Sequence, residues 1–513
     1  MGSVGNTGGD VPGPFNVKSV AIIGAGPSGL AAAKYLRAQS RASAASPAPF
    51  TRITIFEQQA QVGGVWYYSA RPTETQHIPQ TSPFCPPDPP LRPREGEDDG
   101  SKPPIFPSPM YQDLHTNIPH TLMQYSDMPF PEGKPIFPER ETVQRYLEDY
   151  ATDVRHLIRF STSVIDVRPE AEEGESDRQV SSERWTVASR NLLTGASTTE
   201  TYDAVVVASG HYSVPYVPDV PGVREFDAAH PGAVAHSKRY RTPDAYAGKK
   251  VLVVGNSASG LDIASQIGRV CAGPLLVSVR TPTPDRVRDH IPFEEVAEIE
   301  RFLVAERGVR LRDGREIVGL DAVLFCTGYL FTYPFLDAAA ALRGPPLVTD
   351  GRRVQGLYKH FVHIRHPTLA FPGLPIKVIP FPVAEAQAAV FARVWANAAA
   401  LPGRADMEAW ERGEAERRPA GRFHVFPAQG DGEYINELHA WATARAPRDG
   451  GKEPPWWDAE MFWARALYAE AKIKFEQTGK KAKSLAELGF RYESEPGKGE
   501  ETGAIQEKLD MAG

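Results

Sequence analysis

Two stretches of this sequence have the pattern of a strand, a glycine-rich turn and a helix. The first is VAIIGAGPSGLAAA, from Val20 to Ala33, and the second is VLVVGNSASGLDIA, from Val251 to Ala264. In each, an apolar run of strand length leads into small residues and a helix-forming segment, as a dinucleotide-binding βαβ unit requires. The pair predicts an α/β chain with two Rossmann-like dinucleotide-binding domains.

The first turn, GAGPSG, has all three glycines of the dinucleotide-binding pattern. Gly24 permits the sharp turn, Gly26 lets the backbone approach a pyrophosphate, and Gly29 lets the helix pack against the strand. A diphosphate is expected on the free N–H groups at the start of the helix. The predicted cofactor contacts here are Gly24, Ala25, Gly26, Pro27, Ser28 and Gly29.

The second strand of the first unit ends at Glu57, later than the usual spacing of about 20 residues after the turn. The insertion SRASAASPAP, residues 40–49, accounts for the excess. A carboxylate at this position can accept hydrogen bonds from both hydroxyls of an adenosine ribose. The first site therefore suits the ADP half of FAD, and the alternative is a solvated glutamate beside a purely structural turn.

The second turn, GNSASG, has a serine where the pattern has its close-approach glycine. Ser257 takes up room, but its hydroxyl can donate to a phosphate. The next strand ends in Arg280, where the first unit has Glu57, and a guanidinium favours a 2′-phosphate over a 2′-hydroxyl. The second site is therefore predicted to bind NADPH, unless Arg280 is only solvated. Its expected contacts are Gly255, Asn256, Ser257, Ser259, Gly260, Asp262 and Arg280.

The run GHYSVPYVPDVPG, residues 210–222, has three prolines and is expected to be a stiff connector between domains. It lies between the two glycine turns. The predicted division is a disordered N-terminus (1–16), a discontinuous FAD-binding domain with C-terminal helices (17–212 and 328–513), and an inserted NADPH-binding domain (213–327).

Two further segments carry local expectations. Residues 71–109 are rich in proline and charge and predict a long surface excursion, mobile in part. A helix is expected from about Pro382 to Ala399, and amphipathic helices are expected in the tail from residue 404 on.

Composition excludes several function classes. The net charge is −7 and no Lys/Arg-rich run stands out, so we expect neither nucleic acid nor a membrane surface as a partner. The three cysteines are far apart and form no CxxC pair, so neither a metal site nor a redox dithiol is predicted, and a reducing, cytoplasmic setting fits best. Apolar runs are of strand length, far short of the roughly 20 residues that span a membrane.

Further motifs, in order along the chain, make the sequence resemble the flavin-containing monooxygenases, a family of class B flavoprotein monooxygenases. QVGGVWYY is similar to the family's FAD-contact turn, and LHTNIPHTLMQYSDMPFP to its active-site segment. HPGAVAHSKRY matches the family fingerprint at Gly232, His236 and Tyr240, with His230 in place of the leading aromatic residue. The resemblance runs from about Val17 to Gln387. It adds Gly64, Val65, Trp66, Thr116, Asn117 and Gln387 to the expected cofactor contacts.

The resemblance implies a mechanism. NADPH reduces FAD, the reduced flavin and O2 form a C4a-hydroperoxyflavin that bound NADP+ shields, and a soft nucleophile of a small molecule, sulfur or amine nitrogen, takes one oxygen atom. Asn117 is the candidate catalytic residue, because an uncharged amide can donate a hydrogen bond without supplying a proton; the alternative is a loop asparagine before Pro119. Gln387 is a candidate for contact with the nicotinamide, and the family is compatible with a homodimer.

Two other readings of the motifs stay open at this point. A Baeyer–Villiger monooxygenase shares the oxygen chemistry, although its related fingerprint ends in tryptophan where this chain has Tyr240. A non-catalytic dinucleotide-binding protein would keep the fold without turnover. A flavin-dependent disulfide reductase needs a redox-active cysteine pair that this sequence lacks.

Overall fold

The computed structural model describes residues 14–41, 49–91, 102–170, 183–288, 291–336, 342, 344–419, 421–444 and 451–493. The strands within these residues are, in chain order, β1 (Ser19–Ile23), β2 (Arg52–Phe56), β3 (Ile158–Arg159), β4 (Thr162–Pro169), β5 (Trp185–Asn191), β6 (Ser197–Tyr202), β7 (Ala204–Val207), β8 (Val214–Pro215), β9 (Val234–His236), β10 (Val251–Val254), β11 (Leu275–Ser278), β12 (Phe293–Val296), β13 (Ile299–Leu303), β14 (Gly308–Leu311), β15 (Glu316–Ile317), β16 (Ala322–Phe325), β17 (Tyr329–Leu330), β18 (Leu357–Tyr358), β19 (Val362–His363) and β20 (Leu369–Ala370).

The helices of the described residues are α1 (Pro27–Arg41), α2 (His120–Met123), α3 (Arg140–Tyr150), α4 (Val223–Ala229), α5 (Ala258–Ile267), α6 (Asp285–Arg288), α7 (Pro380–Trp395), α8 (Arg404–Arg417), α9 (Gly430–Thr443) and α10 (Ala459–Gln477). None of them is both long enough and apolar enough to cross a lipid bilayer.

A seven-stranded sheet has the order β18-β19-β20-β7-β1-β2-β3. Its central pairs, β7 with β1 and β1 with β2, are parallel, and β20 continues the sheet parallel to β7. The strands β1 and β7 are almost entirely buried, which explains their continuous apolar sequences, because one face of the sheet packs on helices α1 and α7 and the other on strands β4, β5 and β6. Helix α1 follows β1 directly and packs against α7, which is buried along nearly its whole length.

A second sheet has the order β12-β11-β10-β16-β9, and all its neighbouring strands are parallel. Its strands lie in the chain between β7 and β20 of the larger sheet. The prediction of an α/β fold with two Rossmann-like units is therefore confirmed. The proposed domain boundaries fall close to β8 and β17, which pair with each other where the chain leaves and re-enters the larger sheet.

Two three-stranded antiparallel sheets complete the fold. Strands β4, β5 and β6 form one beside the larger sheet, and β13, β14 and β15 form the other between β12 and β16 in the chain. His230 is the departure from the family fingerprint. Its Nε2 lies 2.8 Å from the carbonyl oxygen of Val304, the residue after β13.

The prediction of a disordered N-terminus over residues 1–16 is wrong for the last residues of that range. Phe15 is buried, and its backbone exchanges two hydrogen bonds with the side chain of Asn397, with Phe15 N donating to Oδ1 at 2.7 Å. The rest of that prediction, residues 1–13, lies outside the described residues.

Residues 71–109 were expected to form a long surface excursion, mobile in part, and most of their described residues are exposed or half-buried, but part of the segment is anchored. Gln80 forms a bridge with Val217, and the Gln76 side chain donates to the carbonyl of Val234 at 2.8 Å. Residues 76–88 thus pack beside the five-stranded sheet β12-β11-β10-β16-β9. Asp88 pairs there with Lys238 at 2.6 Å. Residues 92–101 of this segment lie outside the described part of the chain.

Candidate functional site

The first glycine turn has the geometry that its sequence predicts. Gly24 has a φ of 103°, and a Cβ there would lie 2.5 Å from the carbonyl oxygen of Ala208. A Cβ on Gly29 would overlap the carbonyl oxygen of Gly24, so helix α1 can approach β1 only because this position lacks a side chain. The turn therefore brings the N-terminus of α1 against the carboxyl end of β1.

Glu57 lies directly behind this turn. It is buried, and its two carboxylate oxygens accept hydrogen bonds from the N–H of Ala25 at 2.7 Å and from the N–H of Gln59 at 2.8 Å. Burial raises its pKa to about 7, against the opposing effect of these N–H donors. It has no ion-pair partner among the described residues, so its charge depends on hydrogen-bond donors alone.

A second pair of glycines closes over the first turn. Gly63 donates from its N–H to the carbonyl of Ala25 at 3.0 Å, and Gly64 starts a short 3₁₀ helix that ends at Trp66. A Cβ on Gly26 would lie 3.4 Å from the Cα of Gly64. The two glycines thus let the two turns approach each other backbone to backbone. Val65 is tied down beside them, because its carbonyl accepts from the hydroxyl of Ser108.

Gln144 of α3 supports the turn at Gly63 and Gly64. Its amide nitrogen donates to the carbonyl of Val62 at 2.9 Å, and a Cβ on Gly63 would overlap its Oε1. No sequence motif points to this residue, because its role depends on α3 packing against a turn that lies far away in the chain.

The segment around Asn117 is anchored on both sides. The Thr116 N–H donates to the carbonyl of Pro138 at 2.9 Å, and the His120 N–H donates to the carbonyl of Ile136 at 2.8 Å. The buried Thr116 hydroxyl donates to the carbonyl of Ile118 at 2.8 Å. Asn117 is half-buried, and its amide forms no hydrogen bond with any of the described residues. The backbone on both sides of Asn117 is therefore held, while its amide is not engaged by the described residues.

Two contacts connect this segment with the first glycine turn. Tyr125, which follows α2, donates from its hydroxyl to the carbonyl of Pro27 at 2.8 Å. Glu139, the residue before α3, forms a bridge with His115, while Gln144 of the same helix holds the turn at Gly63. The candidate catalytic residue and the first cofactor turn thus belong to one packed unit.

The predicted contact of Gln387 with a nicotinamide is not supported. The residue is fully buried, its Oε1 accepts from the N–H of Gly373 at 2.8 Å, and its Nε2 donates to the Tyr434 hydroxyl at 3.0 Å. A Cβ on Gly373 would lie 2.5 Å from the Ser28 hydroxyl. Gln387 therefore holds the loop that packs against Ser28, at the start of α1, and does not reach into a site itself.

The second glycine turn repeats the geometry of the first. Gly255 has a φ of 105°, and a Cβ there would lie 2.8 Å from the carbonyl oxygen of Cys326. A Cβ on Gly260 would overlap the carbonyl oxygen of Gly255, which matches the relation between Gly29 and Gly24. The close packing of helix on strand is therefore retained in the second unit.

Three polar residues surround this turn. Ser257 occupies the N-cap position of α5 without capping it, and it and Ser259 are exposed. The Asn256 amide donates to the carbonyl of Thr281 and to the hydroxyl of Thr283, both at 2.9 Å. Asn256 therefore links the turn to the end of β11, and the two serine hydroxyls are left for a ligand.

Arg280 lies just beyond β11, as expected, and its side chain is 81% exposed. Its Nη2 and Nε donate to one carboxylate oxygen of Glu298, at 2.9 and 3.2 Å. The same carboxylate also pairs with Arg312 at 3.0 Å. Glu298 was not predicted; it sets the position of the guanidinium, whose remaining donors stay open to solvent.

The predicted cofactor contact of Asp262 is not supported either. Its carboxylate accepts from the Tyr111 hydroxyl and, at 3.2 Å, from the Gln266 side chain. Burial raises its pKa, and the charge of Lys472 opposes that shift. Asp262 thus faces the segment before Asn117 and the tail helix α10, and a carboxylate there would repel a phosphate.

The two turns have the same backbone geometry and opposite strand-end charges, and the segment that carries Asn117 is packed into the same unit as the first turn. A model of the flavin-binding monooxygenase-like family matches residues 106–290 and 296–446, which is more than half of the chain.

The chain belongs to the flavin-binding monooxygenase-like family.

A model of an NAD(P)-binding Rossmann-like domain matches residues 22–85, which include the first turn and Glu57. Membership makes the chain a monooxygenase with FAD and NADPH as its cofactors, so the non-catalytic alternative is set aside.

Relatives of known name agree with this assignment. The flavin-containing monooxygenase FMO GS-OX-like 2 of Arabidopsis thaliana is 32% identical over 83% of this chain and 85% of its own length. The thiol-specific monooxygenase of Saccharomyces cerevisiae is 31% identical over 87% of this chain and 90% of its own length. Among solved structures, the S-allyl-L-cysteine S-oxygenase of Allium sativum superposes with a TM-score of 0.69 at 25% identity, over 92% of this chain and 98% of that one.

The residues present fit these cofactors. Glu57 is a buried carboxylate without a counter-charge among the described residues, and two hydroxyl donors from a ribose would replace the hydrogen bonds to water that burial has removed. The side-chain-free backbone at Gly26 and Gly64, at the start of α1, suits a backbone-bound pyrophosphate, while Ser257 and Arg280 offer exposed donors at the second turn. The first site thus fits FAD and the second fits NADPH.

Proposed function

We propose that this monooxygenase uses NADPH and O2 to oxygenate a soft nucleophile, with sulfur as the first acceptor, in a small molecule. The observation that carries the proposal is the pairing of two like turns with unlike charge: a buried carboxylate at the first and an exposed guanidinium at the second. A flavin held permanently and a phosphorylated nicotinamide cofactor that comes and goes need such a difference. Sulfur is favoured over nitrogen by the thiol-specific and S-oxygenase relatives.

The bound cofactors supply hydride transfer and the activation of O2, which amino-acid side chains cannot perform. The protein's task is to bind, orient and exclude water. Glu57 would accept the ribose hydroxyls of FAD, and the N–H groups at the start of α1 would face its pyrophosphate. Arg280 would donate to the 2′-phosphate of NADPH.

Asn117 would act on the oxygen atom that is transferred. Its amide has two N–H donors without a partner among the described residues, and the neighbouring Thr116 is fixed by its backbone and its hydroxyl. Such a donor can stabilise a developing negative charge without giving up a proton, and it is already oriented before the reaction. A side chain with an acidic proton would instead promote loss of hydrogen peroxide.

The test is a substrate panel with the FAD-loaded enzyme, NADPH and O2. A small thioether, a thiol, a tertiary amine and a cyclic ketone are compared by oxygenated product per NADPH consumed. We expect the sulfur compounds to give the highest ratio. Product from the amine alone would overturn the preference for sulfur, and lactone from the ketone would show a Baeyer–Villiger enzyme. A protein that binds FAD but does not oxidise NADPH would overturn the proposal as a whole.

A further inference from the structure

Lys472 of the tail helix α10 reaches the backbone next to Asn117. Its ammonium group donates to the carbonyl of Thr116 at 3.0 Å, and it pairs with Glu476 one turn later at 3.3 Å. The side chain is only 12% exposed, which is unusual for lysine. Burial lowers its pKa, and the carboxylates of Asp262 and Glu476 oppose that shift. A largely buried ammonium group thus donates a hydrogen bond to one carbonyl of the candidate active-site segment.

The same segment also contacts the helix that follows the second glycine turn. Asp262 is on α5, and the Tyr111 hydroxyl donates to its carboxylate. Tyr111 is buried, and its ring lies edge-on to Tyr240, with the ring centres 5.3 Å apart. The segment from Tyr111 to Asn117 is therefore held at one end by α5 and at the other by Lys472.

Helix α10 is a firm base for this contact. Arg465 pairs with the fully buried Asp431 at 3.0 Å, and the same carboxylate accepts a hydrogen bond from the N–H of Ile379, just before α7, at 3.0 Å. On the same side as Lys472, Phe475 packs its ring edge-on against His115, with the ring centres 5.9 Å apart. Displacement of Lys472 alone would thus release the Thr116 carbonyl and leave the helix in place.

We propose that Lys472 is a positioning residue for the oxygenation reaction: it fixes the backbone that carries Asn117, while the hydrogen bond from Tyr111 to Asp262 ties the start of the same segment to the helix of the NADPH turn. The inference rests on the proposed role of Asn117. It makes the order of the 111–118 segment depend on the second cofactor site, since α5 carries both Asp262 and the phosphate-facing serines.

The test compares Lys472→Met, which keeps the length and apolar stem of the side chain, with Lys472→Arg. Lys474→Met is the matched control, because this lysine is exposed on the same helix. Hydrogen–deuterium exchange of the peptide 111–123 is measured on FAD-loaded protein with and without NADP+. In the same variants, anaerobic flavin reduction by NADPH and hydrogen peroxide released per NADPH are measured.

In Lys472→Met, we expect the amides of residues 111–123 to exchange several-fold faster than in wild type. The protection of these amides by NADP+ should be lost. Flavin reduction should stay within twofold of wild type, while the fraction of NADPH lost as hydrogen peroxide rises several-fold. Lys472→Arg should restore both readouts, and Lys474→Met should match wild type. If Lys472→Met does not fold, Tyr111→Phe removes only the hydroxyl that bonds Asp262, and faster exchange of the same peptide is expected.

Unchanged exchange and unchanged peroxide release in Lys472→Met would overturn the inference. An equal slowing of flavin reduction and oxygenation would also overturn it, because that pattern shows a general structural defect. The exchange of residues 111–123 could follow these expectations while the wild-type protein oxygenates no acceptor of the panel. That result would overturn the proposed function and support the positioning contact.

Discussion

The Glu57 carboxylate accepts a hydrogen bond of 2.7 Å from the N–H of Ala25, so the acid at the end of β2 is fixed by the turn at the end of β1. Parallel strands bring these two residues together, because the carboxyl ends of neighbouring strands meet at one edge of the sheet. The group that would bind the ribose of FAD and the turn that would bind its pyrophosphate therefore form one rigid unit.

This relationship predicts pH-dependent binding of FAD. Burial raises the pKa of Glu57 to about 7 in the protein without FAD, and ribose hydroxyls donate best to the ionised carboxylate. FAD binding should then release a proton, so its affinity should rise with pH up to about 7 and level off above it. The slope has an upper limit of about tenfold per pH unit for one proton. Titration of the apoprotein with FAD between pH 5.5 and 8.5 measures it.

Glu57→Gln is the control for this prediction. The amide cannot ionise, so the variant should bind FAD more weakly at pH 8 and show no slope with pH. The same raised pKa adds stability to the apoprotein below about pH 4.5, and this contribution is lost as the pH rises through about 7. Wild-type and variant proteins with the same pH slope would show that another group is responsible.

The parts of this site that could be predicted are those encoded locally. A glycine turn and the strand and helix beside it lie within about 15 residues, and steric limits on the turn fix which positions need glycine. Gly24, Gly29, Gly255 and Gly260 accordingly have the predicted geometry. Strand-end residues such as Glu57 were also found, since their place in a βαβ unit follows from the same spacing.

The parts that could not be predicted depend on contacts far apart in the chain. Lys472 and Thr116 are 356 positions apart, and no local pattern records their hydrogen bond. Asp262 and Gln387 were assigned to cofactors from their motif positions, but a motif position does not tell which face of a helix a side chain takes. The strands β13–β15 were missed because their short polar sequences have no clear alternation.

Arg280→Ala should reduce the preference for NADPH over NADH. The guanidinium would contact only the 2′-phosphate, so the KM for NADPH should rise about tenfold, at the lower end of what a hydrogen bond to a charged group provides, because the side chain is exposed. The KM for NADH should change less than twofold. Steady-state kinetics with both cofactors measure this.

Arg312→Ala is the matched control for Arg280→Ala. Arg312 pairs with the same Glu298 carboxylate at 3.0 Å but is not at the strand end that marks the 2′-position. Its loss should leave both KM values within twofold of wild type. Equal effects of Arg280→Ala on NADPH and NADH would show that the residue has a structural role only.

Asn117→Ala should separate flavin reduction from oxygen transfer. The amide forms no hydrogen bond with the described residues, so its loss should leave FAD binding and the rate of flavin reduction near wild type. Removal of one preorganised donor typically costs on the order of 10²–10³-fold in a reaction that depends on it. We expect product formation to fall by at least tenfold while hydrogen peroxide accounts for most of the NADPH consumed.

Asn117→Asp refines this experiment, since it preserves the size of the side chain but removes its donors. The variant should lose coupling as Asn117→Ala does. If the ratio of product to NADPH in both variants equals that of wild type, Asn117 has no part in the reaction and serves only the turn before Pro119.

Ser257→Ala should weaken the binding of NADP+ without a change in thermal stability. The Ser257 hydroxyl stands at the N-cap of α5 but does not cap it, and it forms no other hydrogen bond within the described part of the chain, so the folded protein does not depend on it. A lost hydrogen bond to a charged phosphate costs roughly 1.5–3 kcal/mol, which corresponds to a Kd increase of about ten- to a hundredfold.

Ser257→Gly restores the residue of the usual pattern and gives the phosphate more room. If Ser257→Ala and wild type bind NADP+ equally, while Ser257→Gly binds more tightly, the serine only fills the turn and the N–H groups of α5 carry the phosphate contact.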